Sequence, residues 1–439
     1  MKAPINDGAG EESAVGPTAQ NDDSISPSNR RRGRRQLVLL AVCAFGVYWA
    51  SSAILDLRKA NALFGADTWH YTLLAGRSVA GAGDYELERI TRFHLTTVAA
   101  GLAWMKVLAP LGSWIAPQHL LRAMFAAIGA AGVCVSVSAL AAIIPRNCAV
   151  LFGLIYATSF GIWYFSSIEE SKIVTATLTA LYIAVYLRLR EKWANPKAAL
   201  LTAILLLACL NEIVAIFLVV IPVVDALVHR WMGWNRLGWI ATQALVGPLT
   251  FLILDGFIAS RQAPSTYNEG ASLVRMFFHY IFVNDYSVAS LYSFVLNWYL
   301  FNIIAPTTAT SYAPPAWPYH RGYFEPAFAN YFSSPVTAIL ITLLFAMIVA
   351  AASSRIRSGG RSGLDGMMLA LAAYVLIRAG FFVIFNPSEP LIFSPAVTLA
   401  HLMLIAIPLG ASRLPWQQPL LAGFAFLLFV SNGAFIIGW

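Results

Sequence analysis

The sequence predicts an all-α, polytopic integral membrane protein of about eleven transmembrane helices. Interfacial helices are expected in a first external loop, and a long external loop after the seventh span. Three observations predict this class. Hydrophobic residues make up 59% of the 439 and charged residues only 11%, where a soluble domain carries about a quarter. The mean hydropathy is +0.67. The apolar residues fall in runs long enough to cross about 30 Å of hydrocarbon at about 1.5 Å per helical residue, and many cations lie in short loops between those runs. The net charge of +8 therefore reads as an orientation signal and not as a nucleic-acid surface. Cys43, Cys134, Cys148 and Cys209 lie in or beside apolar runs with no Cys-x-x-Cys spacing, which suggests neither a disulfide framework nor a zinc site.

Residues 1–36 are expected to form a disordered basic cytosolic tail, rich in Gly, Ser, Asn, Asp and Pro and ending in RRRGRR. The run QLVLLAVCAFGVYWASSAIL that follows is long for a signal-peptide core and lacks a clear small-residue cleavage site. It reads as a retained first helix with a cytosolic N-terminus. Residues 37–439 form a single transmembrane domain. Spans are expected at 37–55, 119–144, 148–166, 173–189, 197–210, 213–228, 238–256, 335–352, 364–385, 391–411 and 418–437. The runs 197–210 and 213–228 are joined only by Asn211-Glu212 and read as a hairpin whose tip carries Glu212 outward.

The apolar segment 93–112 decides the orientation of everything after it. Laid in the interface, it leaves Arg146, RLREK (188–192), HRWMGWNR (229–236), RIRSGGR (355–361) and Arg413 on the cytosolic side with RRRGRR, and the C-terminus outside. The positive-inside rule prefers that arrangement. Asp67, Asp84, Glu86, Glu88, Glu169, Glu170, Glu212, Glu269, Asp285, Glu325 and Glu389 then fall on the external face, many of them in the loops 56–118 and 258–334. Acids contribute little to the orientation rule, so their segregation points to the external face as the place of chemistry. Within 258–334, LVRMFFHYIFVNDY and VASLYSFVLNWYLFNII read as interfacial or re-entrant helices. The Pro- and aromatic-rich PTTATSYAPPAWPYHRGYFEPAFANYF suits an interfacial cover or a substrate lid.

Asp67 lies in FGADTWHY shortly after the first span, flanked by Trp69, His70 and Tyr71. A lone loop carboxylate is ordinarily a solvated charge; with further external acids able to converge on it, Asp67 can take a proton from an acceptor hydroxyl or amine. Glu169 and Glu170, in WYFSSIEESK, mark the exit of the third span and precede Lys172. They can orient an acceptor, ligate a divalent cation through oxygen, or cap the helix that follows. Arg378 sits inside AAYVLIRAGFFVIF, where an insertion cost of about 2.5–3.5 kcal/mol calls for a partner or a cavity. Lys106 and Arg122 read as interfacial anchors, and His401 as a satisfied core histidine.

The order of these features resembles the GT-C glycosyltransferases, and more narrowly the branch containing protein O-mannosyltransferases and lipid A aminoarabinose transferases. In this resemblance Asp67 matches the first-loop acid, and TRFHLTTVAAGL the histidine-proline region that opens the juxtamembrane helix. Glu169 or Glu170 matches the second acidic site, and NPSEPLIFSPAVTLAHLML the late arginine-tyrosine-leucine-proline stretch. The chain departs from the pattern at Leu95 after His94, in its single first-loop acid, and at Glu389-Pro390.

The resemblance implies transfer, with inversion, from a polyprenyl-phosphate sugar donor to a lipid, glycan or protein acceptor on the periplasmic face of a bacterial inner membrane. It implies Asp67 as general base, with Glu169, Glu170 and His70 orienting the acceptor or a metal ion. Lys172, Arg92, Arg321 and Arg378 would hold the donor phosphate. A transferase of the O-antigen ligase or polymerase type, using a lipid-diphosphate donor, is kept in view by Arg321 in the late external loop. A lipid or solute transporter is disfavoured, because the sequence shows no inverted repeat and no matching pair of broken helices. Reporter fusions at Arg190 and Arg236 are expected to report the cytosol; an external signal at either contradicts the interfacial placement of 93–112.

Overall fold

The structure is a computed structural model. It describes residues 27–57, 94–112, 114–190, 193–231, 233–259, 281–282, 286–308, 310–312, 323–325, 327–357, 363–387, 389–412 and 415–438. The helices in chain order are α1 (Pro27–Leu57), α2 (Leu95–Leu108), α3 (Pro117–Leu140), α4 (Arg146–Thr158), α5 (Phe160–Ser166), α6 (Lys172–Leu189), α7 (Asn195–Asn211) and α8 (Val220–Val228). After them come α9 (Trp234–Ala259), α10 (Val288–Val295), α11 (Pro335–Arg357), α12 (Asp365–Phe385), α13 (Pro390–Phe393), α14 (Thr398–Ser412) and α15 (Gln417–Gly438). Proline stands in the first turn of α3, α7 and α13, where its missing N–H costs nothing and its fixed φ suits a helix start. α1 begins at Pro27, ahead of the expected boundary at 37, so RRRGRR forms helical turns. Arginine is a good helix former.

Among the described residues eight helices are long and apolar enough to cross a membrane, nine if the bent pair α4 and α5 is one span. The other two expected spans, α7 and the run Ile213–Val228, are helical but shorter. They form the expected hairpin, but Glu212 at its tip is drawn into the protein and is only 8% exposed. The 14 residues of α2 rise about 21 Å, short of the roughly 30 Å core, and pack on α3 and α7. Lys106 on α2 is exposed, as an anchor should be. The core is centred on α3, which packs against α1, α4 and α6; α6 packs in turn on α7 and on the 3-10 turn Ser394–Val397. α12 joins α8 to α14, and α15 covers α4.

α4 and α5 are bent by 60° at Ser159, whose extended backbone (φ −58°, ψ 135°) ends α4. A helix broken in a membrane frees N–H and C=O groups that lipid cannot satisfy. The segment after α10, π-helical over Leu296–Phe301, supplies the partners. Phe160 and Gly161 donate their N–H groups to the carbonyls of Ile303 (3.1 Å) and Asn302 (2.9 Å). Asn432 of α15 donates to the carbonyls of Thr158 (2.7 Å) and Ile303 (2.8 Å) and accepts from the Ala305 N–H (2.8 Å). A Cβ at Gly161 would run into the Asn302 side chain, which explains the glycine. The expected interfacial or re-entrant helix over VASLYSFVLNWYLFNII therefore ends deep in the core, with Trp298, Phe301 and Ile304 fully buried. In the Pro- and aromatic-rich stretch Thr310–Tyr312 pairs antiparallel with Tyr323–Glu325, Ser311 opposite Phe324, a small hairpin in an otherwise helical protein. Of LVRMFFHYIFVNDY, residues 273–280 and 283–285 lie outside the described residues.

The basic loops meet at one end of the helices. Asp225, fully buried, accepts from Arg190 Nε and Nη2 at 2.9 Å each and from the Tyr186 hydroxyl at 2.7 Å. Arg236 donates to the Arg190 carbonyl at 2.8 Å, and its guanidinium lies over the rings of Trp193 and Trp231. Arg190 also reaches the Gly363 carbonyl at 3.1 Å. RLREK, HRWMGWNR and the turn before α12 are thus tied together around one acid. Cys43, Cys134, Cys148 and Cys209 are all free thiols.

Asn432→Leu would remove three hydrogen bonds from this core, although the Ile303 carbonyl would keep the Phe160 N–H. At the roughly 0.6 kcal/mol that hydrogen bonds average inside bilayers, the loss is about 2 kcal/mol. It is expected as a lower unfolding free energy in detergent, and a change under about 0.5 kcal/mol would contradict the role given to Asn432.

Candidate functional site

At the opposite end, the starts of α2 and α6, the last turn of α7, α13 and the last turns of α12 converge. The linker between α5 and α6 carries both acids of WYFSSIEESK, and its Ile168 is buried in the core. Ser166 and Ser167 bond back to the carbonyls of Ile162 (2.6 Å) and Trp163 (2.9 Å), closing α5. Glu169 and Glu170 lie inside the protein, 0% and 3% exposed. Glu169 pairs with Arg122 Nε at 2.5 Å, so Arg122 is no interfacial anchor; it is a buried counter-ion one turn into α3, 3% exposed. Glu170 accepts from the N–H (2.9 Å) and hydroxyl (3.1 Å) of Ser171, the residue before α6. Glu170 thus bonds the residue before α6 and makes no cap bond to the helix itself, and Glu169 joins the linker before α6 to α3.

Asn211 staples three helices. Its Oδ1 accepts from the Thr97 N–H (3.2 Å) and hydroxyl (2.5 Å) on α2, and its Nδ2 donates to the Ser171 carbonyl (3.1 Å) and the Thr175 hydroxyl (2.8 Å) on α6. His94, the residue before α2, places Nδ1 at 2.8 Å from the Asn211 carbonyl. A carbonyl only accepts, so Nδ1 carries the proton.

Glu212 follows directly, and its Oε1 lies 2.5 Å from Arg378 Nη2. Burial pushes the Glu212 carboxyl up, and the nearby charges of Arg378, Lys172 and His94 more than offset it, so its pKa lies below the usual carboxylate range. Arg378 is fully buried, and its Nε and Nη1 have no hydrogen-bond partner among the described residues. Its guanidinium sits 5.2 Å from the centre of the Phe382 ring. Phe382 stacks on Phe393 of α13, centroids 4.1 Å apart. The Lys172 ammonium lies over Phe393 at 4.6 Å, and the side chain is 6% exposed. Each ring of the stacked pair thus carries one cation, and Glu212 stands between them electrostatically.

Of the residues expected at the site, Lys172 and Arg378 are linked through Glu212 and the stacked rings, whereas Glu169 and Glu170, just before Lys172 in the chain, bond to Arg122 and Ser171. Asp67, His70, Arg92 and Arg321 lie outside the described residues. Arg122, Asn211 and the Phe382 and Phe393 pair were not expected there, whereas Glu212 was expected on this face with its side chain outward; the sequence signal for Arg122 was a cation inside an apolar helix, and for Asn211 a polar pair between two apolar runs. His401 is not the satisfied histidine expected, for neither ring nitrogen is bonded among the described residues and the ring packs 5.0 Å from Tyr299. No group of three His, Cys, Asp or Glu side chains converges to hold a metal ion among the described residues. Chemically, Lys172 and Arg378 are two buried cations in a low-dielectric surrounding, and Arg378 keeps donors with no partner among the described residues, an arrangement able to accept an anion.

No family model and no curated protein sequence matches the chain. Among solved structures it is similar to ArnT from Cupriavidus metallidurans bound to undecaprenyl phosphate, with a TM-score of 0.58 at 14% identity over 91% of this chain and 76% of that one. It also matches the Archaeoglobus fulgidus oligosaccharyltransferase tethered with an acceptor peptide, with a TM-score of 0.46 at 12% identity over 90% of this chain and 55% of that one. The likeness to ArnT shows that the chain shares that protein's fold.

Proposed function

We propose that the protein is an integral membrane glycosyltransferase of the bacterial inner membrane. It moves a sugar from a polyprenyl-phosphate donor to a lipid, glycan or protein acceptor on the periplasmic face. The observation that carries this reading is the anion site of Lys172 and Arg378 in a fold shared with a protein whose structure holds undecaprenyl phosphate. In the reaction the acceptor oxygen or nitrogen attacks the sugar C1 from the face opposite the phosphate. The C1–O bond to the phosphate breaks, and its electron pair leaves with the phosphate oxygen. The acceptor's proton passes to the Asp67 carboxylate. Lys172 and Arg378, joined by Arg92 and Arg321, balance the charge that builds on the phosphate. Glu170 and His70 orient the acceptor, while Glu169 keeps the linker on Arg122. A divalent cation at this face would take Glu170 and His70 as ligands, since Glu169 is already paired with Arg122.

Asp67→Asn is expected to lower transfer by about 10²-fold or more at an unchanged melting temperature; retained activity removes Asp67 from the mechanism. Mass spectrometry of external glycolipids and glycans from a deletion strain should show the loss of one sugar. Intact glycans with a transport defect would contradict a transferase.

A further inference from the structure

Transfer changes the charge of the lipid that occupies the anion site. On the reading above, the donor is a phosphodiester with one negative charge, whereas the departing lipid is a phosphate monoester carrying about −1.5 to −2 at neutral pH. A site built of cations alone would hold the product harder than the substrate, and product release limits many enzymes. Here the cations are not alone. Glu212 pairs with Arg378 at 2.5 Å and lies within electrostatic reach of Lys172 and His94. The neighbouring Asn211, bonded to α2 and α6, pins the hairpin tip from which the carboxylate reaches Arg378. It leaves two nitrogens of Arg378, Nε and Nη1, unengaged among the described residues, so it does not use up the donors of that site; it lies beside it.

We propose that Glu212 is a positioning residue that sets the charge selectivity of the lipid-phosphate site, repelling the second negative charge of the product and so speeding its release. This rests on the reading of Lys172 and Arg378 as that site. Neutralising Arg378 alone would require only that a carboxylate touch it. A role in release requires in addition that removing the carboxylate favour the more highly charged ligand.

The test uses the full chain in lipid nanodiscs at pH 8, with undecaprenyl monophosphate and its methyl phosphodiester as probes. The wild-type protein is expected to bind the two within about threefold despite their different charge. Glu212→Gln, which can still hydrogen-bond Arg378, is expected to bind the monophosphate about tenfold more tightly and the methyl ester within about threefold of wild type. Glu212→Asp should restore the wild-type ratio. A wild-type preference for the monophosphate of about tenfold or more overturns the proposal with no variant needed. So does a Glu212→Gln protein in which both affinities shift equally. If both probes bind but selectivity is wrong, Glu212 alone loses its role; if neither binds the wild-type protein, the lipid-phosphate site itself falls.

Discussion

A charge inside hydrocarbon must find its partner within the protein, and among the described residues three buried ion pairs meet that demand. Arg122–Glu169 and Arg378–Glu212 lie at the site end and Arg190–Asp225 at the other. Removing one member of such a pair leaves the other uncompensated, at a cost of about 3–5 kcal/mol. The pairs therefore fix relations between elements that apolar packing alone would let slide. α3 is held to the start of α6, the tip of the α7 hairpin to α12, and α6 to α8. Because helix–helix contacts in lipid gain little from the hydrophobic effect, these polar ties and the Asn211 staple set the register in which the site residues meet.

The break at Ser159 obeys the same constraint applied to the backbone. A straight third span would carry the linker with Glu169 and Glu170 beyond the core; the 60° bend folds it back over α3. The bend is tolerated because Asn302, Ile303 and Asn432 receive or supply every bond it exposes at Thr158, Phe160 and Gly161. Asn302 also reaches the Ser394 carbonyl and the Thr398 hydroxyl. The segment that repairs the break is thus bonded to the one that follows Phe393, so the external loop, the broken span and the aromatic pair form one connected unit.

The spans were legible because apolar runs dominate the chain and polar residues interrupt them sharply. Asn211-Glu212 was visible as a hairpin tip, yet its inward direction was not, because its partner Arg378 lies 166 residues away. The insertion cost of Arg378 announced that a partner existed without naming it. Glu169 read equally well as a helix cap, since Arg122, 47 residues earlier, looked like an ordinary anchor. VASLYSFVLNWYLFNII showed the same amphipathic face whether it rested on the bilayer or entered the core, and the asparagine that draws Ala305 inward stands 127 residues later. Long-range polar pairing, the part of the fold that local pattern does not encode, is where sequence reasoning stopped.

The central claim is that a lipid phosphate is held between Lys172 and Arg378 over the Phe393 and Phe382 pair. A diazirine-bearing polyprenyl phosphate, photolysed on the full chain in nanodiscs and mapped by peptide mass spectrometry, tests it most directly. The account predicts labels on 390–397 and on the first turns of α6, competed away by unlabelled polyprenyl phosphate. Competed labelling confined to the basic end, around Trp193 and Trp231, would contradict it.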